Sequence, residues 1–205
     1  MTWLDDLEAG APDPVAAFRG IEVRAFLSVR REVRRRSTAG SAETLVPQLA
    51  ALANALTEIV TRLPEAAFRA PGGEDDWNVA QAIGHDAAAR AGLVLAASLA
   101  ASDRWPTDAP VVVPGVPGEA DASREHLLRK VGQSQRVIER AARSIAGHEL
   151  DPCPLVHPLV GKLRCGEWLL FAGVHDLMHL EQLHGLEAGE APRPDPMAEL
   201  ATSPS

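Results

Sequence analysis

Two histidines in the segment HDLMHLEQLH are spaced as metal ligands would be. His175 and His179 lie four residues apart in a stretch with a helical pattern. Residues four apart share one face of a helix, with Cβ atoms roughly 6 Å from each other. Two neutral imidazoles in that geometry can bind one first-row divalent ion. The same spacing also arises on ordinary amphipathic helices, so a core position for both rings is the alternative.

A third histidine would complete such a site, because a stable metal site needs three or more protein ligands. His85 lies in the middle of another predicted helix, and its helical neighbours are small: Ala82, Ala88, Ala89 and Gly92. Small neighbours leave room for an ion, for water or for a closely packed helix. Bundles build metal sites from inward side chains of facing helices, but periodicity does not tell us that these two helices face each other.

Several polar residues flank the histidines. Gln182 follows His179 by three residues and shares its face, so we predict that Gln182 is catalytic and orients water or a substrate carbonyl. Glu181 lies about 200° around the helix from His179, and we expect it to be exposed to solvent rather than bound to metal. Asp86 and Asp176 each follow a histidine directly. Two roles are open for each carboxylate: it accepts a hydrogen bond from the ring N–H of a histidine, or it lies on the helix surface.

The composition excludes several classes of function. The 205 residues carry 20 Lys+Arg against 28 Asp+Glu, and the net charge of −8 argues against a nucleic-acid-binding protein. No apolar run approaches the roughly 18 residues of a membrane span. The acidic N-terminus lacks the features of a secretory signal, and two cysteines cannot form a disulfide framework. We expect a cytoplasmic protein that binds neither nucleic acid nor membranes.

Helical periodicity dominates the rest of the chain. The sequence predicts five helices, roughly Asp13–Arg36, Leu45–Leu63, Asp75–Ala101, Ala122–Ala146 and Gly166–Leu186. Strand signals are nearly absent, because the run Val111 to Val113 lies between prolines, which denies it a place inside a sheet. The predicted fold class is therefore all-α: an antiparallel four-helix bundle with an additional N-terminal helix and long loops between core helices.

Two irregular segments interrupt these helices. The first, Ser102 to Gly118, contains four prolines and is called the proline-rich loop below; it either crosses from one end of the bundle to the other or serves as a lid. The second extends from His148 to Arg164. We divide the chain into an N-terminal helical extension (1–40), the bundle (41–187) and a disordered tail (188–205). The N-terminal helix can supply a homodimer contact.

Two motifs resemble those of the DinB/YfiT-like four-helix-bundle metalloenzymes. The first, WNVAQAIGH from Trp77 to His85, is similar to the family's W-(S/T)-x-x-(E/D/Q)-x-x-x-H at the start of its second core helix. The second extends from His157 to Leu183 and contains HP-x-x-G, EWL-x-F and HD-x-x-H-x-x-Q. The resemblance covers roughly Leu45 to Leu186.

The resemblance implies that His85, His175 and His179 bind a divalent ion, commonly zinc or nickel and otherwise iron, with positions open for water or substrate. It also implies an enzyme of small-molecule metabolism, because many members are transferases or isomerases that depend on mycothiol, bacillithiol or glutathione. We therefore expect a metal-dependent S-transferase or isomerase, or a hydrolase-like enzyme, that uses a small-molecule substrate and a low-molecular-weight thiol. A composition typical of GC-rich genomes favours mycothiol as that cosubstrate.

Two other functions stay open from the sequence. One is a non-catalytic bundle that a metal stabilises, or a binding module; the other is an iron-dependent oxidative enzyme of specialised metabolism. A closed site with four ligands favours the first, whereas an open site with three histidines favours catalysis.

Three further features could take part in chemistry. Cys165 lies near the start of the last helix, where the dipole lowers a thiol pKa, but about 15 Å from the proposed metal. Trp105 in the proline-rich loop either touches a substrate or pins the loop to the bundle. The arginines from Arg30 to Arg36 either bind an anion or form a solvated helix end.

Overall fold

The computed structural model describes residues 2–21, 26–72, 76–158 and 160–188. Within them, the elements are α1 (Trp3–Glu8), α2 (Pro12–Arg19), α3 (Phe26–Arg36), α4 (Ser41–Arg62), a 3₁₀ turn (Glu65–Arg69), α5 (Val79–Ala101), α6 (Arg124–Ile145), β1 (Pro152–His157), β2 (Gly161–Arg164) and α7 (Cys165–Glu187). The chain is mostly helical, so the predicted all-α class is confirmed. None of the helices in these ranges is long and apolar enough to cross a membrane. Except for Ala188, the predicted tail lies outside the described residues.

Local capping signals determine where α5 begins. The Asn78 side chain accepts the backbone N–H of Gln81, and the Gln81 side chain accepts the N–H of Asn78. This capping box satisfies two donors that a helix start otherwise leaves free. The predicted start at Asp75 is therefore wrong: Asp75 itself lies outside the described residues, and Asp76 precedes the helix.

The four long helices pack in the order α4, α6, α5, α7 around one core. α4 and α7 are parallel neighbours, because Arg62 at the end of α4 pairs with Glu187 at the end of α7. At their starts, the Glu149 carboxylate accepts the N–H of Ala42, and the Glu149 carbonyl accepts the N–H of Gly166. The predicted antiparallel arrangement is wrong for this pair, since periodicity carries no information about helix direction.

α5 and α6 form a second parallel pair. Asn78, just before α5, donates to the carbonyl of Ala120, just before α6. Near the middle of both helices, Arg90 Nη1 donates to Ser134 Oγ. A parallel pair needs a connection that returns along the whole helix. The proline-rich loop lies on this connection, so it crosses the bundle from end to end.

The N-terminal segment differs from the single helix that the sequence predicts. α2 ends at Arg19 and is followed by Gly20, and α3 begins at Phe26. α2 packs closely on the bundle: a Cβ built on Gly173 of α7 would lie 2.8 Å from Leu49 Cδ2 and 3.0 Å from Pro14 Cγ. Gly173 therefore lets α2 and α4 approach the same face of α7.

The segment between α6 and α7 contains a small antiparallel sheet rather than only irregular chain. β1 and β2 pair with Val156 opposite Lys162 and His157 opposite Gly161. Gly161 has φ of 72°, which a tight turn between the strands uses at no steric cost. Val112 adds a parallel bridge to Val156 at the sheet edge. Its flanking prolines permit this edge position although they exclude a central one.

Candidate metal centre

α5 and α7 bring three histidines to one place between them. One ring nitrogen each of His85, His175 and His179 lies within 4.8 Å of the other two. The ring centroids of His175 and His179 are 4.6 Å apart, and that of His85 lies 5.3 and 5.6 Å from them. We call these three residues the histidine cluster. The structure shows that α5 and α7 face each other. Metal binding by the histidine cluster stays a prediction.

Every ring of the histidine cluster is oriented through its Nδ1. His85 Nδ1 lies 2.8 Å from the Val116 carbonyl oxygen, and His175 Nδ1 lies 3.1 Å from Asp86 Oδ1. His179 Nδ1 lies 2.9 Å from Gln182 Oε1. These oxygens accept hydrogen bonds, so each Nδ1 carries a proton, and in a neutral imidazole the lone pair then lies on Nε2. This is the tautomer that a metal ligand needs when Nε2 is the donor atom.

The electrostatics of the cluster favour a neutral ring at His85. Burial, followed by repulsion from the neighbouring His175 and His179, lowers the pKa of His85 to about 4. His85 is therefore unprotonated near pH 7, as a ligand must be. Burial raises the pKa of Asp86, but the hydrogen bond with His175 and nearby positive charge outweigh it and bring this pKa to about 2. Asp86 is thus a carboxylate behind His175.

The side chains of Gln182 and Glu181 are both partly or fully buried in the fold. Gln182 is 8% exposed, and its amide oxygen is engaged by His179. This contact makes Gln182 a residue that positions an imidazole; its predicted role in orienting water or substrate stays a prediction. Glu181 is half-buried, so the expectation of a fully solvent-exposed side chain is wrong. The helical angle correctly places Glu181 on the opposite side of α7 from His179. It does not predict which parts of the protein pack against that side.

A buried arginine that was not predicted from the sequence lies behind the cluster. Arg90 of α5 is fully buried, and its Nε lies 3.0 Å from both carboxylate oxygens of Asp176 on α7. Its other nitrogens donate to Ser134 Oγ on α6 and to the carbonyl of Leu49 on α4. One guanidinium thus links all four bundle helices. The sequence does contain a signal for this residue, since Arg90 is the only Lys or Arg in an Ala- and Leu-rich helix.

An apolar cavity of about 350 Å³ borders the histidine cluster at His85. One face of α5 forms one side, and the proline-rich loop, including Trp105, forms the other. The loop is anchored beside His85, because the Gly118 N–H donates to the Gln81 carbonyl and a Cβ on Gly118 would lie 2.7 Å from Gly84 Cα. The loop therefore covers a cavity as well as crossing the bundle.

The two cysteines form a hydrogen bond with each other. Cys153 and Cys165 are both buried, on β1 and at the start of α7. The hydrogen bond with Cys153, followed by burial, raises the pKa of the Cys165 thiol. The expectation that the helix dipole lowers this pKa is wrong, because these local effects outweigh the dipole.

Four arginines of α3 form ion pairs within the chain. Glu32 pairs with Arg31, Arg35 and Arg36. Arg34 pairs with the buried carboxylate of Glu167 at the start of α7. The Arg34 pair attaches α3 to α7, whereas the pairs of Glu32 lie within α3.

A comparison with protein families matches residues 22–183 to the model of the DinB superfamily. The chain belongs to the DinB superfamily. The matched part of this DinB-superfamily protein includes the histidine cluster, the proline-rich loop and the small sheet, whereas α1 and α2 precede it. No curated protein and no solved structure matches the chain significantly.

Proposed function

We propose that this DinB-superfamily protein is a metal-dependent enzyme of small-molecule metabolism, with a divalent ion held by His85, His175 and His179. The observation that carries the proposal is the convergence of three Nδ1-oriented imidazoles. Among the residues that the structure describes, no carboxylate or thiol joins this group. Three protein ligands leave positions free for substrate, as in catalytic sites, whereas structural sites close with four.

The donor set fits the ion. Neutral imidazole suits zinc, nickel and iron. The Asp86 carboxylate increases the basicity of His175 through its hydrogen bond and places negative charge near the site. When bound, a divalent ion with open positions lowers the pKa of a thiol or water and so supplies a nucleophile near pH 7.

The residues of the chain orient the three imidazoles and shield the site from water. Val116, Asp86 and Gln182 hold the three rings, and the ion pair of Arg90 with Asp176 holds the helices that carry them. The apolar cavity beside His85 excludes water from an electrophile bound there, which limits competing hydrolysis.

The finer proposal concerns the reaction. We propose transfer or isomerisation with a low-molecular-weight thiol as cosubstrate, mycothiol first. The open positions of a three-histidine site and the family resemblance of the motifs around His85 and His175 support it. A thiol needs one open coordination position on the ion. The adjacent cavity accepts the substrate whose electrophilic carbon the thiol attacks.

Cobalt(II) absorption tests this proposal. Metal-free protein is loaded with cobalt(II) and titrated with mycothiol and, separately, with glutathione. We expect a thiolate-to-cobalt charge-transfer band in wild type and in the control His148→Ala, whose ring pairs with Asp151 at the surface. The band should be absent in His175→Ala. Cobalt binding without a thiolate band for either thiol would overturn the thiol proposal and leave the metal site standing.

A further inference from the structure

The cavity beside His85 is long and follows one face of α5. Its lining includes His85, Ala88, Ala89, Gly92, Ala96 and Leu99, at helical intervals of three and four. From His85 to Leu99, fourteen steps at 1.5 Å per residue correspond to about 21 Å along the helix axis. Small side chains over this distance form a groove, and the proline-rich loop turns the groove into a cavity.

On the loop side of the cavity, several backbone hydrogen-bonding groups are missing or already engaged. Prolines at 106, 110 and 114 lack an N–H. The Val113 N–H donates to the Val156 carbonyl, and the Val111 carbonyl accepts the Val156 N–H. The Val116 carbonyl is engaged by His85. A hydroxyl or amide buried here would lose its bonds to water without replacement, at roughly 1–3 kcal/mol each.

Exposed apolar side chains concentrate at the same place. Leu95, Val112 and Val116 line the cavity with 47%, 52% and 57% of their surface exposed. They belong to the five large hydrophobic residues that stand out as exposed in the described ranges. Exposed apolar surface gathered at one concave site marks a binding site. His85 is the ionisable residue of the lining and lies at one end.

We propose that this cavity binds an extended apolar chain, an alkyl or acyl group, whose polar reactive end lies at His85. The inference deepens the proposed function, on which the assignment of the reactive end rests. The inference also assigns the two substrates to different places. The carbohydrate of a thiol such as mycothiol cannot occupy this cavity and approaches the histidine cluster from another side. Substrate selection then depends on chain length.

Calorimetric titration of the purified protein with n-butanol, n-hexanol and n-octanol tests the cavity. Burying one methylene contributes about 0.8 kcal/mol, so affinity should rise about fourfold for each added methylene. The variant Gly92→Phe places a ring inside the cavity, since a Cβ on Gly92 meets no atom within 4 Å. Gly132→Phe on α6 is the matched control, because its Cβ meets only Arg136 Nη1, at 3.7 Å.

We expect Gly92→Phe to weaken n-octanol binding at least tenfold and Gly132→Phe to leave it unchanged. Affinity independent of chain length in wild type overturns the inference, whatever the folding of either variant. Equal n-octanol affinity in wild type and folded Gly92→Phe also overturns it, as does occupation of this face by a second copy in place of alkanol. The metal content of the same samples is measured separately. Chain-length-dependent binding by protein that stays metal-free after reconstitution with zinc, nickel and iron would therefore contradict the proposed function and support the cavity inference.

Discussion

Asp86 Oδ1 lies 3.1 Å from Nδ1 of His175, across the interface between α5 and α7. The residue before it, His85, belongs to the histidine cluster itself. Two consecutive residues of α5 thus serve the same site, one as a ring in the cluster and the other as the carboxylate behind a ring of α7. The cluster depends on the register of these two helices as much as on the histidines.

Replacing Asp86 should weaken metal binding while the three histidines stay in place. Asp86→Ala leaves the His175 Nδ1–H without its acceptor, so the ring loses orientation and basicity. We expect a 10- to 100-fold loss of zinc affinity, measured by competition with a chromophoric chelator. Circular dichroism serves to confirm folding. An unchanged affinity in folded protein would contradict the role assigned to this carboxylate.

Gln182 can be tested as a positioning residue with two substitutions. Gln182→Glu keeps an oxygen acceptor for His179 Nδ1, whereas Gln182→Leu removes it. We expect zinc affinity close to wild type for the first and a loss of about tenfold or more for the second. Equal affinities in all three proteins, together with lost activity, would instead favour the catalytic role predicted from the sequence.

The link between Arg90 and Asp176 should dominate the stability of the bundle. Arg90→Met leaves the buried Asp176 carboxylate without its partner, and we expect unfolding free energy to fall by about 3–5 kcal/mol. Urea unfolding measures this loss. The control Arg62→Ala breaks an exposed pair with Glu187 and should cost less than about 1 kcal/mol. Similar losses in both variants would show that Arg90 does not link the four helices.

Acid should destabilise the metal-free protein through His85 and His157. Burial, assisted by repulsion from neighbouring histidines, lowers the pKa of both to about 4. The unfolded chain, with ordinary histidine pKa values near 6.5, binds these protons first. Stability is therefore fully present above pH about 6.5 and is lost as the pH falls towards 4.

His157→Asn provides the comparison for this pH dependence. Asparagine does not titrate and can still accept the Val160 N–H, as His157 Nδ1 does. Urea unfolding at pH 7 and pH 5 should give a loss on the order of 2 kcal/mol smaller in the variant than in wild type. Identical losses would mean that His157 does not remain neutral in the fold.

The long helices could be predicted from the sequence because their apolar positions repeat at three and four residues. Leu45, Leu49 and Leu52 are all fully buried in α4. The exact start of α5 was missed because Asp76 and Asn78 both suit a helix N-terminus, and only the capping box with Gln81 decides between them. Periodicity likewise gives no helix direction, so the parallel pairs came only from contacts between helix ends.

The candidate site was predictable in its residue types and not in its surroundings. HxxxH spacing placed His175 and His179 on one face. The small helical neighbours of His85 made it the third candidate, and the motif resemblance supported it. The acceptor for His85 is the carbonyl of Val116, 31 residues away in a loop whose path no local pattern specifies. Similarly, Asp176 follows His175 directly, but its partner Arg90 is chosen by the packing of four helices.

Metal content of the purified protein, measured by inductively coupled plasma mass spectrometry, tests the central claim most directly. Wild type and the surface control His148→Ala should each contain about one divalent ion per chain. His85→Ala and His175→Ala should contain little or none, while circular dichroism shows them folded. Wild type that stays metal-free after reconstitution with zinc, nickel and iron would contradict the claim, and the histidine cluster would then be part of the bundle core.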